Sequence, residues 1–151
     1  MVFAFGIGVV AGLRALTAPA AVSWAAYLGW LNLQGSPVAF MASMWAVAIF
    51  SFLAIFEFVG DLLPKTPKRT APAPLAARIL LGGLCGACLC LSASQSPWIG
   101  ALFGAIGAVI GAFAGYEIRK RLVTGLNIKD IFIALTEDLV AIGLACFLVS
   151  R

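Results

Sequence analysis

The sequence predicts an all-α membrane protein, a bundle of five to six transmembrane segments with a broken or kinked N-terminal helix. Three observations lead there. Apolar residues make up 63% of the chain and charged residues 11%, against about 25% charged residues in a typical soluble domain. Nearly every residue falls in a long apolar run or a short polar link between runs. The runs stay apolar for longer than the roughly 10 alternating positions of a membrane barrel strand, so the backbone groups that lipid cannot satisfy must pair within helices. Nothing remains to fold apart from these runs, and residues 1–151 are expected to form one transmembrane helical domain.

Six apolar stretches follow in order: 2–13, ending at Arg14, then 18–33, 37–63, 75–93, 97–116 and 131–149. A spanning helix needs about 20 residues, which the last four stretches reach and the first two do not. Joined as one helix, residues 2–33 would extend roughly 48 Å at 1.5 Å per residue, well beyond a hydrocarbon core of about 30 Å. Pro19 also removes a helical hydrogen bond and crowds the preceding turn. The N-terminal region is therefore expected to be two short helices meeting between Arg14 and Pro19, or one sharply kinked span. A break at membrane depth requires burial in protein or a wet cavity. No basic residues precede the first apolar run, which does not look like a cleaved leader and is read as part of the mature protein.

The links set the topology. Lys65, Lys68 and Arg69 lie between the third and fourth stretches, and Arg119, Lys120, Arg121 and Lys129 between the fifth and sixth. Links 32–36 and 94–96 carry no charge. Basic loops stay cytoplasmic, which places 64–74 and 117–130 inside. The N-terminus is then inside if residues 2–33 cross once and outside if they cross twice. This distribution accounts for the net charge of +4 without nucleic acid as a partner; the bilayer is the expected one. Pro64, Pro67, Pro72 and Pro74 predict an extended, fairly rigid link.

Gly100, Gly104, Gly107, Gly111 and Gly115 share one stripe of the fifth stretch, a pattern that lets helix backbones approach closely in lipid. The stripe is expected to pack inside the monomer, with a homo-oligomer contact as the alternative. Gly8 and Gly12, and Gly82 and Gly86, repeat the spacing. Cys85, Cys88 and Cys90 sit in a glycine-rich apolar helix and read as small packing residues. With no histidine or nearby acid to complete a ligand set, no metal or other cofactor is expected. The absence of histidine also excludes a serine–histidine–acid triad, and a non-enzymatic role is favoured.

The informative residues are the ionisable ones at membrane depth: Arg14, Glu57, Asp61, Arg78, Glu117, Glu137 and Asp138. Glu57, Asp61 and Lys65 follow an i, i+4, i+8 ladder on one helix face. Counted from the basic links, Glu57, Arg78, Glu137 and Asp138 enter the membrane to similar depth from the same side, so acids and arginines from three helices are expected to meet at one level. A charge at the bilayer centre costs at least about 2.5–3.5 kcal/mol, so such residues pair inside the bundle or line a wet path. Acids outnumber bases in this layer, which leaves carboxylates able to exchange protons or bind cations.

Gly12-Leu-Arg14-Ala-Leu-Thr17-Ala-Pro19, Glu57-Phe-Val-Gly-Asp61-Leu-Leu-Pro64-Lys65-Thr66-Pro67-Lys-Arg69-Thr70, Arg78 and Glu137-Asp138-Leu-Val-Ala-Ile-Gly143 together resemble a bacterial family of small integral membrane proteins known only as a domain of unknown function. The resemblance covers almost the whole chain. It implies a bacterial cytoplasmic membrane and brings no activity, substrate or cofactor with it.

The resulting expectation is a small transporter or channel with a proton- or cation-handling carboxylate layer in the cytoplasmic half. Arg14 and Arg78 would pair with the acids or receive an anionic small molecule. A lipid-phosphate-handling protein, enzymatic or flippase-like, and a non-catalytic assembly subunit are the alternatives. Single cysteines placed in a cysteine-free background should be labelled from the cytoplasmic side at positions 68 and 121 and from the opposite side at 36 and 95. Labelling of 68 and 95 from one side would overturn the topology.

Overall fold

A computed structural model describes residues 1–61, 71–126 and 130–150, without the side chains of residues 61, 123–126, 130 and 131. Among the described residues there are six α-helices, one 3-10 turn and no strand: α1 (Val2–Leu13), α2 (Thr17–Tyr27), the 3-10 turn (Ala39–Ala42), α3 (Met44–Asp61), α4 (Pro72–Ser92), α5 (Pro97–Leu126) and α6 (Asp130–Val149). Pro72–Ser92, Pro97–Leu122 and Phe132–Val149 are each long and apolar enough to cross a membrane, and Val2–Leu13 and Met44–Gly60 are shorter apolar helices. The outer surface is correspondingly apolar: Leu80, Leu139, Phe52, Phe56 and Ile118 all point outward. In water such a surface would drive aggregation; in lipid it is the required one. The chain is a membrane protein.

Residue pairings fix the directions of the helices. Gly8 lies against Gly104 and Gly12 against Ala108 and Gly111, so α1 runs parallel to α5; Gly82 meets Gly104 and Gly86 meets Gly100, so α4 runs antiparallel to it. Gly6 faces Leu148 while Arg14 reaches Asp138, so α1 descends as α6 rises. From Leu16, whose N–H meets Glu57, α2 turns back beside α3, with the Trp24 indole N–H donating to Ser51 Oγ at 3.0 Å. The following segment reaches the end of α4, where the Asn32 N–H donates to Ser92 Oγ. Helices α1 and α2 thus form a short V whose arms start and finish at the upper end of the bundle and whose vertex lies at the level of Arg78. Trp30, Trp45 and Trp98 all sit near that upper end, the last two 79% and 83% exposed, as expected of an aromatic belt at a membrane interface.

Of the two expectations for residues 2–33, the two short helices are what form, and the break falls at Arg14, which has extended backbone (φ −136°, ψ 109°). It does not fall at Pro19. That proline occupies the first turn of α2, where its missing N–H would have had no helical acceptor in any case. The same rule explains why Pro72 and Pro74 begin α4 and do not prolong the extended link. Helix α2 ends at a left-handed glycine, Gly29 (φ +79°), and the Trp30 N–H folds back to Ala25 O at 2.8 Å, a C-terminal cap that only glycine enters without strain. Helix α5 continues past residue 116 to Leu126, so the stretch expected as a basic loop is largely helical.

Helices α1, α4 and α5 meet at backbone distance. A Cβ added at Gly104 would strike the carbonyl oxygen of Gly82, one at Gly86 that of Gly100, one at Gly107 that of Phe5, and one at Gly111 that of Val9. These faces of α5 are filled by α1 and α4 of the same chain. Gly143, by contrast, faces open space. Gly104→Leu is expected to cost more than the roughly 1–3 kcal/mol of ordinary overpacking, because backbone must move, while Gly143→Leu should be tolerated. Folded yield and thermal unfolding in detergent would check this, and equal behaviour of the two variants would refute it.

Candidate functional site: a charge cluster at the helix break

Reversing the chain at Arg14 leaves backbone N–H groups that neither helix can pair, in surroundings where water is scarce. Glu57 of α3 supplies the acceptor. One carboxylate oxygen takes the Ala15 N–H and the other the Leu16 N–H, both at 2.9 Å. Leu16 is the N-cap residue of α2, whose N-terminus has no cap from its own side chain. Glu57 thus acts as a cap supplied by another helix, and its negative charge sits at the positive end of the α2 dipole.

The arginines bind this cap into the bundle. The Arg78 guanidinium lies 3.7 Å from Glu57 Oε1, and its Nη1 also reaches the Pro74 carbonyl at 3.5 Å. Arg14 is 1% exposed and the largest fully buried side chain. It forms an ion pair with Asp138 of α6, donates from Nη1 to the Glu57 backbone carbonyl at 3.4 Å, and lies over the Phe58 ring, 5.0 Å from its centroid, where cation–π attraction adds to the pairing. Two guanidiniums and two carboxylates from the break, α3, α4 and α6 therefore share one buried cluster.

Four of the seven singled-out residues, Arg14, Glu57, Arg78 and Asp138, come together here. The Asp61 side chain lies outside the described residues, as do Lys65, Lys68, Arg69 and Lys129 of the links. Glu117 does not join the cluster: α5 is still helical there, and Glu117 faces outward to accept from Arg121 Nε at 2.9 Å one turn on. Glu137 is next to Asp138 in sequence but turned about 100° around the helix. It lines a groove of about 390 Å³ with Leu13, Ile118, Arg119 and Phe132. A second groove, of about 420 Å³, runs between α2, α3 and α6 and includes Thr17, Phe58 and Ile142. The Arg14–Asp138 pair stands between the two. The sequence does not reveal the backbone N–H groups of Ala15 and Leu16 as partners of Glu57, or Phe58 as the aromatic seat. Thr17-Ala-Pro19 carries the composition of a helix start and was the available signal.

Removing one partner of a buried ion pair strands the other, at a cost of about 3–5 kcal/mol, whereas replacing both with apolar residues is often near neutral. Arg14→Met alone should therefore lower stability by that amount, and Arg14→Met combined with Asp138→Leu should recover much of it. Chemical unfolding of the purified variants checks this; an additive double variant would mean that the pair is not coupled.

Comparison with curated proteins returned no match, and neither did comparison with solved structures. The family described as a domain of unknown function, DUF4126, matches residues 1–150. Over this whole length, from the broken N-terminal pair to the end of α6, the chain belongs to that family.

Proposed function

We propose that the chain is a small transporter or channel of the bacterial cytoplasmic membrane, with links 64–74 and 117–130 on the cytoplasmic side and the Glu57 and Asp138 carboxylates handling protons or cations. The observation that carries this reading is the Glu57 carboxylate seated across the α1–α2 break. Interrupted helices at membrane depth recur at transport sites, where helix ends and freed backbone groups face the ion or substrate. Here a carboxylate occupies that place. A proton or cation taken up by Glu57 competes with two backbone hydrogen bonds worth about 1.5–3 kcal/mol each for a charged acceptor. Loss of those bonds frees the vertex of the V. Charge uptake and chain geometry are thereby coupled.

Three further features support the reading. Ionisable groups inside a membrane bundle are costly and mark ion or proton paths more often than not. The cluster has a groove on each side, one toward the upper end of α2 and α6 and one toward the lower part of α5 and α6. Close approach through Gly100, Gly104, Gly107 and Gly111 would keep α1, α4 and α5 together while α2, α3 and α6 adjust. Asp61 and Glu137 are assigned to the same layer from their sequence positions. A second reading, handling of a lipid phosphate, is favoured by Arg119 beside the apolar wall of the lower groove.

Protein reconstituted in liposomes should carry a pH-dependent proton or cation flux. In Glu57→Gln and Asp138→Asn that flux should fall by at least an order of magnitude per folded molecule, while each variant, leaving its arginine partner uncompensated, melts lower than wild type. Wild-type flux no greater than that of protein-free liposomes, or variants that differ from wild type only in stability, would overturn the reading. Lipid scrambling that depends on Arg119, without ion flux, would establish the second reading instead.

A further inference from the structure

Whether Glu57 takes a proton or a metal ion is decided by what the oxygens of the cluster already face. Glu57 Oε1 accepts the Ala15 N–H and Oε2 the Leu16 N–H, both at 2.9 Å. From α4, Arg78 places Nη2 3.7 Å from Glu57 Oε1 and Nη1 3.5 Å from the Pro74 carbonyl oxygen. From the break, Arg14 donates to the Glu57 backbone carbonyl at 3.4 Å, with its charge matched by Asp138 of α6. The positive end of α2 points at the same carboxylate. On α3 itself Asp61 is one turn along, with its side chain outside the described residues.

A proton needs one lone pair. An ordinary glutamate holds it with an association constant of about 10⁴ M⁻¹, since the free side chain titrates near pH 4. A hard metal ion reaches such affinity only by gathering about six or more oxygens at roughly 2.0–2.6 Å. Here both Glu57 carboxylate oxygens, its backbone carbonyl and that of Pro74 already meet N–H hydrogens. The guanidiniums cannot lose their charge, and their field opposes every cation of equal charge alike. It lowers both affinities and leaves the proton ahead. Arg78 adds a steric reason. Its guanidinium is buried and bridges Glu57 Oε1 and Pro74 O, two oxygens that would otherwise be free to ligate a metal ion.

We propose that the ion taken up at Glu57 is the proton, to the exclusion of metal cations, and that Arg78 sets this selectivity as a tethered cation in the seat of a metal ion. This rests on the transport reading and names its ion. In the uptake step hydronium gives its proton to one Glu57 carboxylate oxygen and leaves as water; an O–H bond forms, and the N–H facing that oxygen loses its acceptor.

The test uses the full chain in lipid nanodiscs, followed by infrared difference spectroscopy and thermal unfolding. Acidification should raise a protonated-carboxyl band that Glu57→Gln lacks. Exchanging choline chloride for sodium, potassium or calcium chloride, at constant pH and ionic strength, should change neither the Glu57 carboxylate bands nor the melting temperature of the wild type. In Arg78→Ala the seat is vacated, and the same exchange should raise the melting temperature by a few degrees, as a ligand of the native state does; Arg78→Gln serves if that variant does not fold. A cation-induced band in the wild type that Glu57→Gln removes overturns the proposal, as does the absence of the acid band. Arg78 variants as indifferent to metal cations as the wild type overturn the role of Arg78. Liposomes without flux in any of these salts would sink the transport reading, while the bands still decide which ion Glu57 takes.

Discussion

The fold turns on two backbone N–H groups. The chain reverses at Arg14 inside an apolar bundle, and the N–H groups of Ala15 and Leu16 need an acceptor that no helix offers. Glu57 accepts both, and the other close contacts of the cluster follow from that choice. A carboxylate buried here needs a cation, and Arg78 brings α4 to it. Arg14, carried inward by the same reversal, needs an anion, and Asp138 brings α6. One local deficit in hydrogen bonding thus ties together the break and three helices distant in sequence. The knot is selective because each partner has a geometric reason to be there: a two-pronged acceptor faces two donors, and the Arg14 guanidinium sits over the Phe58 ring.

The two halves of the bundle are held by different physics. Helices α1, α4 and α5 touch through backbone at glycine positions, where dispersion over a close, dry interface is the main attraction available in lipid. Such contact is short-ranged and leaves little room for sliding. Helices α2, α3 and α6 carry the hydrogen bond between Trp24 and Ser51, the two carboxylates of the charge cluster and the walls of the α2–α3–α6 groove. Directional bonds of this kind can be exchanged for others of similar energy, which glycine contacts cannot. Under the transport reading, motion therefore belongs to the α2–α3–α6 side, with the vertex of the V as its pivot.

Much of this was legible in the sequence. Hydropathy alone excluded a soluble protein, and the spacing of Glu57, Arg78 and Asp138 from the basic links placed them at one level. What was not legible has physical causes. The break lies at the Arg14 end of the expected Arg14–Pro19 interval, because a proline in a first turn costs nothing, and the N–H groups freed by the break are taken by Glu57, more than 40 residues along the chain. The described cluster holds two carboxylates and two arginines, while the Asp61 side chain, counted in the expected acid layer, lies outside the described residues. Side-chain direction, not depth, separates Glu137 from Asp138, and one residue step turns a helix by about 100°. Glu117 escaped because α5 outlasts its apolar stretch: Glu117 pairs with Arg121 within the helix and need not turn inward.

The balance of charge also bears on how such a cluster can work. Taking ions out of water costs several kcal/mol each, and their mutual attraction returns about the same amount, so a complete buried cluster contributes little net stability. Removing one charge is another matter, since the loss then falls on whichever group is left unpaired. A set of groups that is near neutral when complete and costly when incomplete makes a poor clamp and a good selector of conformations. It favours any arrangement in which all charges are paired and penalises those in which one is stranded. If a proton or cation joins Glu57 or Asp138, the set of fully paired arrangements changes, and the chain must move to reach the new one. The glycine-packed half limits what can move, and the α1–α2 break defines where the movement starts.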